Sequence, residues 1–224
     1  MSVERIEEEM REALAGRSAV FTMGRVAPGP DDDETRRDDA LPVSLGHAGE
    51  ERRARYRTGR RLAREALRTL GATDLVVGRD RHGCPEWPMG FVGSISHSDP
   101  LSAALVACRG AISSVGIDLE RVGRFGAELW PSVLTPAEMR FLLDIEERGA
   151  RARAATVLFS AKEAVQKARY SETGAWSEHA RIVVELDVRE RRFRVGGGRG
   201  ETGRFVVEGA WVFCAFFRWG QRAA

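Results

Sequence analysis

Between residues 91 and 120 the chain packs three strand-length runs end to end, 91–97, 102–108 and 113–120, with only Asp99-Pro100 and Arg109-Gly110 as punctuation. A long helical pattern lies on each side. The first covers about 48–70 and stops at Gly71, a C-cap signal; the second covers 151–170. Before them, 3–15 reads as an amphipathic helix, 18–23 as a strand and 25–41 as a polar loop holding Pro28, Pro30 and the aspartates 31–33. A short strand is expected at 75–78. Thr135, Pro136 and Glu138 open a helix with a capping box. Further strands are expected at 181–186, 193–195, 205–208 and 211–217. Each half thus carries a long helix and several short strands. The order predicts an α+β fold of two similar lobes, 1–113 and 114–224, related by a pseudo-twofold. Each lobe is a small antiparallel sheet packed with a long helix, and the active site is expected at their junction.

The chain has 224 residues, enough to bury a substantial core, and a net charge of only +2, so it is no global polycation. No apolar stretch approaches a membrane span, and the charged start at 1–9 lacks the apolar segment of a secretory signal, so the cytoplasm is the expected location. Cys84, Cys108 and Cys214 are too scattered for a disulfide framework or a zinc site. Of the 35 basic residues only Lys162 and Lys167 are lysine. Both fall in one segment, Phe159-Ser-Ala-Lys-Glu-Ala-Val-Gln-Lys167. Two lysines kept together in an arginine-biased chain point to a need for an ammonium, a compact charge able to donate to an oxyanion.

In a strand at 113–120, Val115, Ile117 and Leu119 share one face, and Gly116, Asp118 and Glu120 share the other. Two carboxylates so placed repel unless a cation lies between them, and a hard divalent ion such as Mg²⁺ suits an all-oxygen set. Gly116 beside them would let a ligand approach the backbone. A half-exposed strand with an acidic outer face gives the same alternation. On the second helix, Glu163 and Lys167 stand four residues apart on one side, and Ala161, Val165 and Ala168 form the stripe that docks it. A simple surface ion pair fits that spacing. So does a third carboxylate facing Asp118 and Glu120, with both lysines neutralising phosphate oxygens, as pyrophosphate cleavage requires. Ser94, Ser96 and Ser98 alternate with Ile95 and His97, and His97 among small hydroxyls could donate to a phosphate. No Gly-x-Ser-x-Gly elbow accompanies them. Arg53, Arg57, Arg60 and Arg64 form a helical row able to hold a phosphate ester, an acidic protein surface or nucleic acid.

Four segments in order resemble the 4′-phosphopantetheinyl transferases of the Sfp/EntD type, most closely the EntD-like branch. They are Arg57-Thr-Gly-Arg-Arg-Leu-Ala-Arg-Glu-Ala-Leu67, Gly83-Cys-Pro-Glu-Trp-Pro-Met-Gly-Phe-Val-Gly-Ser-Ile-Ser-His97, Val115-Gly-Ile-Asp-Leu-Glu120 and Phe159 to Lys167. The resemblance implies a monomeric enzyme that moves phosphopantetheine from coenzyme A to a serine of apo acyl or peptidyl carrier proteins, and releases adenosine 3′,5′-bisphosphate. It implies that Asp118, Glu120 and Glu163 ligate Mg²⁺, or Mn²⁺ in its place, with Glu163 as base. Lys162 and Lys167 would contact the pyrophosphate, Ser96 and His97 the CoA phosphates, and Arg53, Arg60 and Arg79 the 3′-phosphate. Gln166 stands where some relatives carry an aromatic residue, so contacts to the pantetheine arm are expected to differ. A non-catalytic CoA- or carrier-binding module would need a disabled carboxylate set. An arginine-rich nucleic-acid binder would lack any accompanying motif. An ATP-dependent phosphotransferase would lack its Gly-x-x-x-x-Gly-Lys-Ser/Thr loop.

Overall fold

A computed structural model describes residues 4–26, 49–110, 112–196 and 201–220. Most of the polar loop expected at 25–41 lies outside them. The first half comprises α1 (Glu4–Ala13), β1 (Ala19–Arg25), α2 (Glu50–Thr69), a two-residue ladder of β2 (Gly78–Arg79) with β3 (Pro85–Glu86), and the hairpin β4 (Phe91–Ser98) and β5 (Leu101–Cys108). The second comprises β6 (Ile112–Arg121), the short α3 (Trp130–Val133), α4 (Pro136–Leu143), α5 (Arg148–Thr173), and strands β7 (Val184–Asp187), β8 (Arg192–Val195), β9 (Thr202–Glu208) and β10 (Trp211–Trp219). The sheets are antiparallel, in the orders β1-β5-β4 and β6-β10-β9-β8-β7. Residues 113 and 114 both lie inside β6. The short strand expected at 75–78 shrinks to the ladder starting at Gly78.

The layers follow from which face each strand buries. Leu62, Ala63, Ala66 and Leu67 of α2 cover Ala104 and Val106 on the outer face of the first sheet. Ala161, Ala164, Val165 and Ala168 of α5 cover Val212, Cys214 and Phe216 on the outer face of the second. Between the sheets lies a shared core: Leu105 and Ala107 of β5, Val115, Ile117 and Leu119 of β6, Phe213 and Ala215 of β10, and Ile6 and Met10 of α1. The two lobes thus share one hydrophobic interior. The capping box forms as expected: Thr135 Oγ1 accepts from Glu138 N at 3.2 Å, and Thr135 N donates to Glu138 Oε2 at 2.7 Å. The long helix α5 stops at Gly174, whose φ of 64° is left-handed, and begins three residues earlier than the pattern predicts. Among the described residues no helix is long and apolar enough to cross a membrane.

Candidate active site

β4 and β6 are the facing edges of two different sheets, and no backbone ladder joins them. Their unpaired groups would be costly to bury. Serine side chains supply the missing partners: Ile117 N donates to Ser94 Oγ and Leu119 N to Ser96 Oγ, both at 3.1 Å. Ser96 Oγ then donates to Asp118 Oδ1 at 3.0 Å. Lys167, reaching in from α5, donates to the same oxygen at 2.7 Å, to Ile117 O at 3.0 Å and to Ser96 Oγ at 3.3 Å. The alternation along β4 is thus the reason that a strand edge, a carboxylate and a lysine meet at one point. Burial would lower the Lys167 pKa, but Asp118, Glu163 and Glu120 outweigh it and hold the ammonium above its usual value. The lysine is charged at any physiological pH.

Glu120 lies on the same face as Asp118. Burial first, and the Asp118 charge second, push its carboxyl up to about 7. Asp118 Oδ2 is buried without a hydrogen-bond partner among the described residues. An orphaned carboxylate oxygen beside a carboxyl that resists ionisation fits a divalent cation, which would satisfy the first and lower the pKa of the second. Glu163 is turned elsewhere. His179 Nε2, in the segment after α5, lies 2.6 Å from its Oε1, and the His179 ring stacks with Phe159. Desolvation raises the Glu163 pKa, but His179 and Lys167 overcome this and keep it below the usual range. Among the described residues no three His, Cys, Asp or Glu side chains form a ready-made metal group. The expected convergence of Asp118, Glu120 and Glu163 is therefore incomplete here, because His179 engages the third carboxylate.

Two contiguous cavities share Gly83, Pro85 and Ile95. One, of about 270 Å³, is lined by Arg52, Arg55, Tyr56, Arg60, Arg79 and His97. The Arg60 guanidinium sits 5.0 Å from the Tyr56 ring centre and donates to Gly78 O at 2.9 Å. Arg55 is anchored by Asp99 at 2.8 Å. His97 is held below its usual pKa by desolvation within the cleft, then by Lys167 and Arg55. The other cavity, of about 470 Å³, is lined by Trp87, Tyr170, Trp176, Cys84 and Asp80, with Lys167 in its wall. Tyr170 stacks on Trp176 with ring centres 4.5 Å apart and donates to Asp80 Oδ2 at 2.5 Å, tying α5 to the β2–β3 turn.

Arg60, Arg79 and His97 thus come together, as do Asp118, Glu120 and Lys167. Other expectations need correction. Lys162 does not face the cluster. It is completely buried, and its three protons go to Glu138 Oε2 at 2.7 Å, Val133 O at 2.9 Å and His179 O at 3.2 Å. Five residues along a helix is about 140° of rotation, so Lys162 and Lys167 cannot both reach one phosphate. Ser96 has no capacity left for a CoA phosphate, since it accepts from Leu119 N and Lys167 and donates to Asp118. Arg53 pairs with Glu50 at 2.9 Å and lines neither cavity; Arg52 and Arg55 take the place expected for it. Gly116 admits a helix rather than a ligand: a Cβ there would lie 1.8 Å from Ala164 O. Gln166 is buried and lines neither cavity. Sequence reasoning missed Tyr56, Asp80, Tyr170, Trp176, Glu138 and His179. Only the capping box signalled one of these, Glu138, and it gave no hint of Lys162.

Residues 41–107 match the 4′-phosphopantetheinyl transferase N-terminal domain, and residues 114–208 match the 4′-phosphopantetheinyl transferase superfamily. The chain belongs to that superfamily. It is 36% identical over 140 residues to 4′-phosphopantetheinyl transferase Npt of Nocardia iowensis, covering 62% of this chain and 62% of the relative. It is 35% identical over 155 residues to 4′-phosphopantetheinyl transferase Svp of Streptomyces mobaraensis, covering 69% and 59%. Enterobactin synthase component D of Salmonella typhimurium is 35% identical over 126 residues, covering 55% and 51%. The chain thus spans between half and two thirds of the length of these relatives.

Proposed function

We propose that this protein transfers 4′-phosphopantetheine from coenzyme A to a serine of an apo carrier protein. The observation that carries the reading is the Lys167–Asp118 pair, 2.7 Å apart, with Lys167 in the wall of an aromatic-lined cavity that shares Gly83, Pro85 and Ile95 with an arginine-lined one. Coenzyme A has the matching halves: a 3′-phosphorylated ADP head of high negative charge, and a neutral, amphipathic pantetheine arm. Arg52, Arg60, Arg79 and His97 suit the head. Trp87, Tyr170 and Trp176 suit the arm. Lys167 then stands beside the diphosphate that joins them.

Asp118 and Glu120 would hold Mg²⁺, joined by Glu163 only once its carboxylate leaves His179. When bound, the ion supplies charge neutralisation on the diphosphate. Lys167 donates to a non-bridging oxygen as negative charge builds there. Glu163, held ionised by His179 and Lys167 in the free protein, would accept the serine proton once freed from His179. The serine oxygen bonds to the phosphorus that bears the pantetheine arm. The bond from that phosphorus to the bridging oxygen breaks, and adenosine 3′,5′-bisphosphate leaves with the electron pair. Both lobes contribute from one chain, which supports a monomeric enzyme.

The test is incubation with CoA, Mg²⁺ and a panel of apo carrier proteins, read by intact carrier mass. The expected result is a phosphopantetheine-sized gain that EDTA abolishes. No gain on any carrier, together with no CoA binding, would sink the reading.

A further inference from the structure

On the far strands of the second sheet, a third cavity of about 300 Å³ is lined by Arg17, Arg192, Arg204, Thr202, Gly203, Phe217 and Trp219. It shares no lining residue with the two cleft cavities. Arg192 and Arg204 are direct cross-strand partners of β8 and β9. Like charges facing each other across a ladder are destabilising. Neither makes an ion pair or side-chain hydrogen bond among the described residues. Asp187 stands opposite Arg192 on its other side, but no ion pair forms, and its Oδ1 accepts from Glu190 N at 3.0 Å. The neighbouring arginines are matched: Arg169 and Arg218 share Glu201, at 3.3 and 3.0 Å. Arg17 closes the third side. Its guanidinium carbon lies 4.7 Å from the Trp219 ring centre, and its Nη1 donates to Ala13 O, so the side chain is already oriented.

We propose that this cavity is a second anion site, separate from the CoA cleft, that takes a phosphoryl group. Guanidinium forks match tetrahedral oxyanions bidentately, and the Thr202 hydroxyl adds a donor of the right reach. A doubly charged phosphate would cancel the Arg192–Arg204 repulsion that the bare ladder must carry. The source is either free inorganic phosphate or a phosphate monoester on a small molecule or side chain.

The experiment uses the full chain. Thermal unfolding is recorded in chloride buffer and again with chloride replaced by inorganic phosphate or by phosphoserine at equal ionic strength. Arg204→Gln, the Arg192→Gln/Arg204→Gln pair and Arg60→Gln are compared with the parent. In chloride, Arg204→Gln is expected to melt at or above the parent, since a repulsion is removed. In phosphate the parent and Arg60→Gln rise by several degrees more than the double variant, whose residual rise reports the general effect of phosphate and the cleft, so the order inverts. Each lost guanidinium weakens phosphate binding about tenfold or more. The larger of the inorganic-phosphate and phosphoserine shifts names the source. An equal rise in parent and double variant, a rise lost only in Arg60→Gln, or no rise at all would overturn the proposal. Those outcomes are independent of whether the cleft binds CoA.

Discussion

Lys167 is the residue on which the site turns, because it touches Asp118, Ser96 and the backbone of β6 at once. Its ammonium is held charged by three carboxylates and sits in the wall of the aromatic cavity. Lys167→Met is expected to lower kcat/KM for transfer about 10²–10³-fold, the range for losing one preorganised donor to developing charge. Steady-state kinetics on a carrier found by mass would check this. Retention of parental turnover would remove Lys167 from the reaction. Tyr170 offers a test in pH. The Asp80 carboxyl is raised by burial but pulled below its usual value by the Tyr170 hydroxyl and by the Cys84 and His82 amides. The same bond pushes Tyr170 up to about 12. The link therefore stabilises the fold above the ordinary Asp value of 3.8, and is lost as pH falls through the lower folded value or rises through about 12. Tyr170→Phe should melt below the parent at pH 7, with the gap closing under acid. Melting curves from pH 3 to 8 that stay parallel would contradict it.

At the scale of elements, α5 carries two lysines with opposite fates. Lys167 points to the lobe junction. Lys162 is locked to Glu138, which also caps α4 and accepts from Val184 N at 2.8 Å. One buried ion pair thus fastens α4, α5, β7 and the segment bearing His179. Burial lowers the Lys162 pKa, and Glu138 opposes that. Lys162→Met leaves Glu138 buried and unpaired, so a loss of about 3–5 kcal/mol is expected, with CoA affinity unchanged in whatever protein folds. A Lys162→Met/Glu138→Leu pair should recover part of it. Urea midpoints would decide; a stable Lys162→Met protein that cannot bind CoA would restore the phosphate role to this lysine.

The whole molecule is two sheets face to face with a long helix on each outer face, joined by an apolar core and by the serine-stitched edge of β4 and β6. That seam holds the two halves of the site in register. Ser94→Ala orphans the Ile117 amide, and is expected to cost about 1–3 kcal/mol. Because the lobes share one interior, unfolding should remain a single cooperative transition in this variant. A separate early transition in calorimetry would show that the seam, not the core, couples the lobes.

The strand and helix pattern, the capping box and the opposed faces of β6 were legible in the sequence, because each rests on periodicity or on contacts within a few residues. Asp118, Glu120, Lys167, Arg60 and His97 could be picked out for the same reason, as chemistry-bearing side chains on identifiable faces or in ordered motifs, whereas Arg79 came only with the family resemblance. Their neighbours were not legible. Whether Lys162 meets a phosphate or Glu138, whether Gly116 receives a ligand or Ala164, and whether Arg52 or Arg53 faces the cleft all depend on how helices rotate and dock on the sheets. The pairing of His179 with Glu163, and of Tyr170 with Asp80, joins residues that local pattern cannot relate. The sequence determined the elements and the kinds of side chain at the site. Only the packing of the two lobes decided which of them meet, since a buried donor takes the partner that docking brings within reach.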